Sequence, residues 1–157
     1  MTPLQIEISR NSEGWPEGLD ARAEEAVLEA LRQSKAKVTG AAELSVVLTD
    51  DEEQRELNRD WRGMDKSTNV LSFPQIEPFG EVSGILGDII MARETLEREA
   101  AEMGVSFEDH FTHLMVHGFL HILGYDHIED DQALVMESLE TQILASLGVA
   151  DPYAEDE

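Results

Sequence analysis

All five histidines of this 157-residue chain lie within the 18 residues 110–127. Most of them fall on an apolar segment, 107–123, whose two ends carry the signals of a helix. Ser106 and Asp109 resemble a capping box at its start, and Gly124 stands where a helix commonly ends on a glycine. The feature that most constrains the fold is therefore a buried helix that carries a row of imidazoles.

The remaining segments alternate between strand-like and helix-like patterns. We predict strands at 4–9, 43–49, 70–73 and 85–91, and helices at 20–36, 51–60, 92–103, 107–123 and 130–147, with Asp20 as the cap of the first helix. This order predicts an α/β (α+β) fold in which a single mixed sheet is packed with helices, with a metal site at the C-terminal end of the central helix. The pattern does not fix the strand order. We expect one domain, 1–157, with a frayed acidic tail from about residue 150.

The composition excludes several functions. The chain has 11 basic and 34 acidic residues, a net charge of −23, and no cysteine. Thiolate zinc sites, disulfides and cysteine nucleophiles are therefore absent. No apolar run is long enough to span a membrane, and the start lacks the features of a signal peptide, so we expect a cytoplasmic location. The charge argues against a broad nucleic-acid-binding surface, so contact with RNA would need a local basic patch or a metal.

Three histidines have the spacing of a metal site. His117 and His121 are four residues apart and share one helix face. Gly124 allows the chain to turn back after the helix, which brings His127 over the same face. Three neutral imidazoles with a fourth position open to water are typical of a catalytic zinc site. We therefore predict one zinc ion per chain on His117, His121 and His127.

The other two histidines are expected to be structural. His113 is also four residues from His117, but it stands about 12 Å of helix rise from His121, too far for the two to share one ion. We expect His110 and His113 to be core residues, or else to support the ligands from outside the coordination sphere.

The spacing matches that of the metzincin proteases with one departure. Those enzymes carry a glutamate general base directly after the first histidine, whereas this chain has Gly118. A close helix crossing explains this glycine better than a catalytic role. The scaffold for the metal is present, but the base of a protease is missing.

With HGFLHILGYDH at 117–127 established, the sequence strongly resembles the bacterial YbeY family of metal-dependent endoribonucleases, or rRNA maturation factors. The segments WRGMDKSTNVLSFP at 61–74, LGDI at 86–89 and LGVADPY at 147–153 agree with it. The resemblance implies a single-domain α/β fold, zinc on His117, His121 and His127, and hydrolysis of single-stranded RNA.

The resemblance also implies a biological task. The expected task is maturation of the 3′ end of 16S rRNA together with ribosome quality control. The implied partners are the 16S rRNA precursor, the ribosome, a small-subunit ribosomal protein and a ribosome-assembly GTPase, with no membrane partner.

The family further points to Arg62 as a catalytic residue. Arg55, Arg59, Arg62 and Lys66 are four of the 11 basic residues. An arginine can bind a phosphodiester through two hydrogen bonds and offset charge in the transition state. We assign that role to Arg62, in a predicted loop at 61–69. We expect Arg55 and Arg59, on the preceding helix, to pair with nearby acids, namely Glu52, Glu53, Glu56 and Asp65.

Two acidic residues keep open roles. Asp88 interrupts an apolar strand, so it needs a partner; supporting a metal-bound histidine and capping nearby backbone are equally good explanations. Asp126 is a weak candidate for the general base, which is otherwise unassigned. We name His117 and Arg62 as the catalytic residues, with His117 acting primarily as a ligand.

Two other functions remain open. One is a metal-dependent hydrolase that acts on peptides or small molecules. The other is a non-catalytic, metal-stapled ribosome-binding factor.

Overall fold

A computed structural model describes residues 4–63, 68–126 and 128–152 of the chain. Four strands and five helices follow one another in the predicted order. They are β1 Leu4–Arg10, α1 Leu19–Ser34, β2 Val38–Thr49, α2 Asp51–Arg62, β3 Val70–Pro74, β4 Val82–Ala92, α3 Arg93–Met103, α4 Phe107–Leu123 and α5 Asp130–Ser146. The predicted fold class, one mixed sheet packed with helices, is confirmed.

The four strands form one sheet in the order β1-β2-β4-β3. β1 and β4 each run parallel to β2, with Ile8 opposite Val46 and Val46 opposite Ile89. β3 runs antiparallel to β4 and forms one edge of the sheet, and β1 forms the other. Because the parallel pairs need crossover connections, α1 links β1 to β2, whereas α2 and β3 lie between β2 and β4 in the chain.

Helix α4 packs against one face of the sheet and is buried along most of its length. It contacts β3, β4 and all three of α1, α3 and α5. Successive side chains of a strand point to opposite faces of the sheet, so every second residue faces the helices. Among those that are fully buried are Leu44, Val46, Leu48, Ile89 and Met91.

The start of α4 shows how its capping works. The Ser106 hydroxyl accepts a hydrogen bond from the Asp109 backbone N–H at 3.1 Å. The Asp109 carboxylate lies 3.6 Å from Arg22 on α1. The cap therefore also joins the first helix to the central one. The predicted bounds of this helix, 107–123, agree with the structure.

Several predicted boundaries were wrong; β2, for example, begins at Val38 rather than at residue 43. Asp20 is not the cap of α1, because the helix begins at Leu19 after Gly18, whose backbone is left-handed at φ 85°. α2 extends through Arg62 and ends at Gly63, so the predicted loop at 61–69 begins later than expected.

None of the helices in the described ranges combines the length and the apolar character that a membrane crossing requires.

Candidate metal centre

A cavity of about 720 Å³ opens at the C-terminal end of α4. Its lining comes from the last turns of α2, from β3 and the segments on both sides of it, from the last two turns of α4, and from the residues that follow α4. Among its described lining residues are Asn58, Arg62, Thr68, Asn69, Ser72, Ile76, Pro78, His117, His121, Tyr125, Asp126 and Ile128. The cavity thus joins polar groups, imidazoles and apolar side chains in one space.

Two imidazoles of α4 face each other in this cavity. The Nε2 atoms of His117 and His121 lie 3.1 Å apart. Two nitrogens bound to one zinc ion at about 2.1 Å, in tetrahedral geometry, would be separated by about 3.4 Å. The spacing of the pair therefore fits a shared cation. The third predicted ligand, His127, lies outside the described residues, so the three-histidine site stays a prediction.

A buried carboxylate fixes the orientation of His117. Glu140 of α5 is fully buried, and its Oε1 accepts a hydrogen bond from His117 Nδ1. An ionised carboxylate only accepts, so an ionised Glu140 places the proton on Nδ1 and leaves the lone pair of Nε2 pointing toward His121. This arrangement of carboxylate, histidine and metal-facing nitrogen is the usual support of a metal-binding imidazole.

The same carboxylate reaches a second histidine. Glu140 Oε2 lies 3.6 Å from His113 Nε2. Within the part of the chain that the structure describes, His113, His117 and Glu140 each bring a ligand atom to within 4.8 Å of the others, so this cluster could hold a metal ion. Unlike the pair formed by His117 and His121, the His113–Glu140 side of the cluster does not line the cavity.

Arg62 lines the cavity, but it does not lie in the loop that the sequence predicted. It is the last residue of α2 rather than a loop residue, because the helix ends only at Gly63, with φ 70°. It lines the same cavity as His117 and His121. Arg59 lies one turn earlier and pairs with Asp60 at 3.3 Å, in keeping with a surface role. The partner is Asp60 rather than the acids expected from the sequence; Lys66 lies outside the described residues.

The cavity wall beside Arg62, formed by Thr68 and Asn69, is held by hydrogen bonds of buried and half-buried side chains. The Gln54 amide donates to the carbonyl of Ile90 at 2.9 Å and accepts from the Thr68 backbone N–H at 2.8 Å. The Asn69 amide donates to Glu99 at 3.1 Å. These contacts tie the chain before β3 to α2, α3 and β4, so the wall is anchored at several points.

Gly118 lies where α4 crosses the sheet. A Cβ at this position would stand 3.3 Å from atoms of Ile89, Ser72 and Val70, and the Ser72 hydroxyl donates to the Gly118 carbonyl at 3.0 Å. The close crossing that the sequence suggested accounts for the glycine. The sheet fills the space in which the metzincin base would stand.

His110 and Asp88 lie away from the cavity lining. His110 is 4% exposed and its Nε2 lies 2.9 Å from Glu99. Burial lowers the pKa of His110 although Glu99 acts in the opposite direction. Asp88 is half-buried and lines a separate cleft with Glu56 and Trp61. That position, in a cleft which the cavity histidines do not line, does not support a role for Asp88 in holding a metal-bound histidine.

Sequence reasoning missed Glu140, although a signal was present. Met136, Glu140, Ile143 and Leu144 recur at the spacing of one helix face and are all buried. A carboxylate on the apolar face of a helix needs a partner, and the row of histidines on α4 could have supplied it. Asn58 and Asn69 carry no comparable signal, because asparagine in a polar segment is unremarkable.

The chain is similar over nearly its whole length to known proteins. Residues 6–148 match the family model described as endoribonuclease YbeY. A relative from Agrobacterium fabrum with that name is 52% identical over 166 residues, covering 100% of this chain and 99% of its own. Another, from Sinorhizobium fredii, is 51% identical and covers 99% of this chain and 95% of its own.

A solved structure agrees with the fold. The solution structure of TM1509 from Thermotoga maritima is 26% identical, with a TM-score of 0.57, and the match covers 96% of this chain and 100% of that one. The resemblance inferred from residues 117–127 is confirmed, as is the predicted enzyme class at the level of the family. Since the family model covers most of the chain and whole-length relatives exceed 50% identity, this chain belongs to the endoribonuclease YbeY family.

Proposed function

We propose that this chain is a zinc-dependent endoribonuclease that cuts single-stranded RNA. One observation carries the proposal: the Nε2 atoms of His117 and His121 lie 3.1 Å apart in a cavity that Arg62 also lines. A cation held by neutral imidazoles and a guanidinium in one cavity suit a phosphodiester, which carries negative charge and gains more in the transition state. The names of the relatives support RNA as the substrate.

The donor set fits one zinc ion on His117, His121 and His127. The first two are arranged for a shared cation, and Glu140 orients His117 for it. When bound, zinc supplies Lewis acidity and activates water near neutral pH. Iron and nickel accept the same imidazole ligands, so the ion must be identified by measurement.

The residues of the chain then have distinct tasks. His117 holds the metal and keeps its proton on Nδ1 against Glu140. Arg62 binds the non-bridging oxygens of the scissile phosphate, where its planar fork makes two hydrogen bonds. Of the described residues that line the cavity, Asp126 alone carries a carboxylate. We assign Asp126 as the candidate proton acceptor, because Glu140 is sealed in the core.

The biological proposal rests on the family. We propose that the protein is one domain over residues 1–157 and works in the cytoplasm. There it would mature the 3′ end of 16S rRNA and act in ribosome quality control, with the ribosome, a small-subunit ribosomal protein and a ribosome-assembly GTPase as partners. Depletion should then leave 16S rRNA with an unprocessed 3′ end, which sequencing of rRNA ends would detect.

The central experiment joins metal analysis to RNA cleavage. Purified protein should contain one zinc per chain and cut a single-stranded RNA, and a chelator should abolish cleavage until zinc is restored. Arg62→Ala should lower the cleavage rate by about 10²-fold or more without changing metal content or folding. Arg62→Lys should recover only part of the rate, because a point charge lacks the fork.

Arg59→Ala is the matched control, since Arg59 lies on the same helix but pairs with Asp60. It should cleave at the wild-type rate. Cleavage that is unaltered in Arg62→Ala would remove Arg62 from the mechanism. Metal-loaded protein that binds RNA without cutting it would favour a ribosome-binding factor, and hydrolysis of peptides or small molecules with no response to RNA would favour a different hydrolase.

A further inference from the structure

An aromatic pair stands at the apolar side of the metal cavity. The rings of Phe79 and Tyr125 lie 5.0 Å apart between centroids, at an interplanar angle of 83°. Tyr125 lines the cavity, as do the neighbouring Pro78 and Ile128. Phe79 is nevertheless 68% exposed. An edge-to-face pair leaves at least one ring face uncovered by its partner, so aromatic surface is open to solvent beside the cavity.

The backbone holds Phe79 in an unfavourable conformation. Its φ is 57°, the left-handed region, which glycine and asparagine adopt far more readily than a bulky residue. Its N–H donates to the carbonyl of Leu123 at 2.7 Å. A Cβ at Gly124 would stand 2.8 Å from the Phe79 nitrogen. A hydrogen bond and close packing therefore hold the backbone at Phe79 against the end of α4.

Packing does not explain why a large ring occupies this position. A residue chosen for the turn alone would be glycine or asparagine, and a residue chosen for the core would be buried. Backbone strain at the rim of a site is a recognised mark of a functional position. We therefore expect the exposed ring of Phe79 to have a function of its own.

The negative charge of the protein limits its electrostatic affinity for RNA, and an aromatic ring can add affinity that does not depend on charge. The net charge is −23, and among the described residues that line the cavity Arg62 is the sole arginine or lysine. Few phosphates can be neutralised, so electrostatic attraction cannot supply much affinity for RNA. Stacking of bases on aromatic rings binds single strands without charge.

We propose that Phe79 and Tyr125 form a stacking platform for one nucleobase of the RNA, next to the phosphate at the metal. This inference rests on the proposed function and deepens it. Bases within a duplex are already stacked on their neighbours, whereas those of a single strand can be splayed onto a protein ring. The platform therefore gives a physical reason for preferring single strands, which the imidazoles and Arg62 do not provide by themselves.

The key variant is Phe79→Asn. Asparagine tolerates the left-handed backbone, so the protein should fold with unchanged or higher stability in urea. Its affinity for a single-stranded oligouridine, measured in the presence of a chelator so that the RNA is not cut, should fall about 5- to 150-fold, the range seen when a base-stacking ring is removed. Phe79→Tyr keeps a ring and should bind as wild type does.

A second RNA tests whether a base is what the ring binds. An abasic ribose-phosphate chain of the same length keeps every phosphate but lacks the bases. Wild type should bind it more weakly than oligouridine by the same factor that Phe79→Asn loses, and Phe79→Asn should bind the two chains alike. Trp61→Ala is the matched control, because Trp61 is an exposed aromatic residue that lines the other cleft; it should leave affinity unchanged.

The outcomes separate the two proposals. Equal affinity of wild type and Phe79→Asn for oligouridine, with metal-dependent cleavage intact, overturns the platform and leaves the endonuclease standing. A Phe79→Asn defect that is equally large on the abasic chain also overturns the platform, since the ring would then not be binding a base. Failure of wild type to bind or cut any single-stranded RNA overturns both.

Discussion

The two halves of α4 carry the same residue type but differ in what surrounds it. His110 and His113, in the first half, face carboxylates of α3 and α5 and lie apart from the cavity. His117 and His121, in the second half, bring their Nε2 atoms together inside it. Helical spacing alone does not separate the halves, because His113 and His117 are also four residues apart. Because Glu140 reaches both His113 and His117, the difference between the halves lies in the cavity, which only His117 and His121 line.

The largest expected effect comes from removing an imidazole from the second half. His117→Ala or His121→Ala should lose nearly all bound metal, while His113→Ala should keep it, since only the first two face the cavity. Elemental analysis of the purified variants measures this, with circular dichroism to confirm folding. Metal retained in His121→Ala but lost in His113→Ala would place the ion on His113, His117 and Glu140 and reverse the comparison.

A smaller effect is expected when the carboxylate that serves both halves is neutralised. Glu140→Gln keeps the shape of the side chain but weakens the hold on His117 Nδ1, so metal affinity should fall about 10- to 100-fold. Competition with a chromophoric chelator gives the affinity directly. Glu137→Gln, one turn earlier on α5, is the control and should bind metal as wild type does. Unchanged affinity in Glu140→Gln would show that His117 does not depend on this contact.

Gly118 separates the two halves, and its replacement tests the packing beneath them. In Gly118→Ala the new methyl group meets three neighbours at 3.3 Å. Overpacking should lower the free energy of unfolding by about 1–3 kcal/mol. This loss should exceed the gain of up to about 1 kcal/mol from the higher helix propensity of alanine. We expect a net loss of roughly 1 kcal/mol in urea unfolding of the metal-free protein. A variant as stable as wild type would mean that α4 can move off the sheet at little cost.

The smallest effect concerns the first half and pH. Because burial lowers the pKa of His110, the unfolded chain binds a proton at this residue more readily than the folded one. Stability should therefore fall as pH drops below the unfolded pKa of about 6.5. His110→Gln should flatten this fall in urea titrations from pH 7 to 5. Glu99→Gln should steepen the fall, because Glu99 favours the charged form of His110 and its removal lowers the pKa further. His113, the other neighbouring group, already disfavours the charged form. An identical pH profile in all three proteins would contradict the assignment.

Much of the fold is predictable because its signals are local. Residues close together in the sequence determine the cap of α4, the glycine at its end and the alternation in the strands. The order of the elements follows from these local signals. The strand order is not predictable, because it depends on which long-range pairs bury the most surface. The pattern predicts Arg62 in a loop because it does not show that α2 continues to Gly63.

The candidate site divides in the same way. The i, i+4 spacing of His117 and His121 is sufficient to place them together, since a helix fixes that geometry by itself. Glu140 reaches His117 only because α5 folds back against α4, a contact between positions 23 residues apart. Asn69 depends on Glu99 in the same non-local way. Such contacts require the tertiary fold before they can be seen.

The dependence of His117 on Glu140 also orders events during synthesis. A nascent chain that has reached the end of α4 already contains both cavity imidazoles, but the carboxylate that sets the tautomer of His117 is made later, on the last helix. Metal captured before α5 docks would meet an imidazole free to rotate and to exchange its proton between nitrogens. The hydrogen bond that orients His117 therefore forms late, once the final helix of the chain is in place.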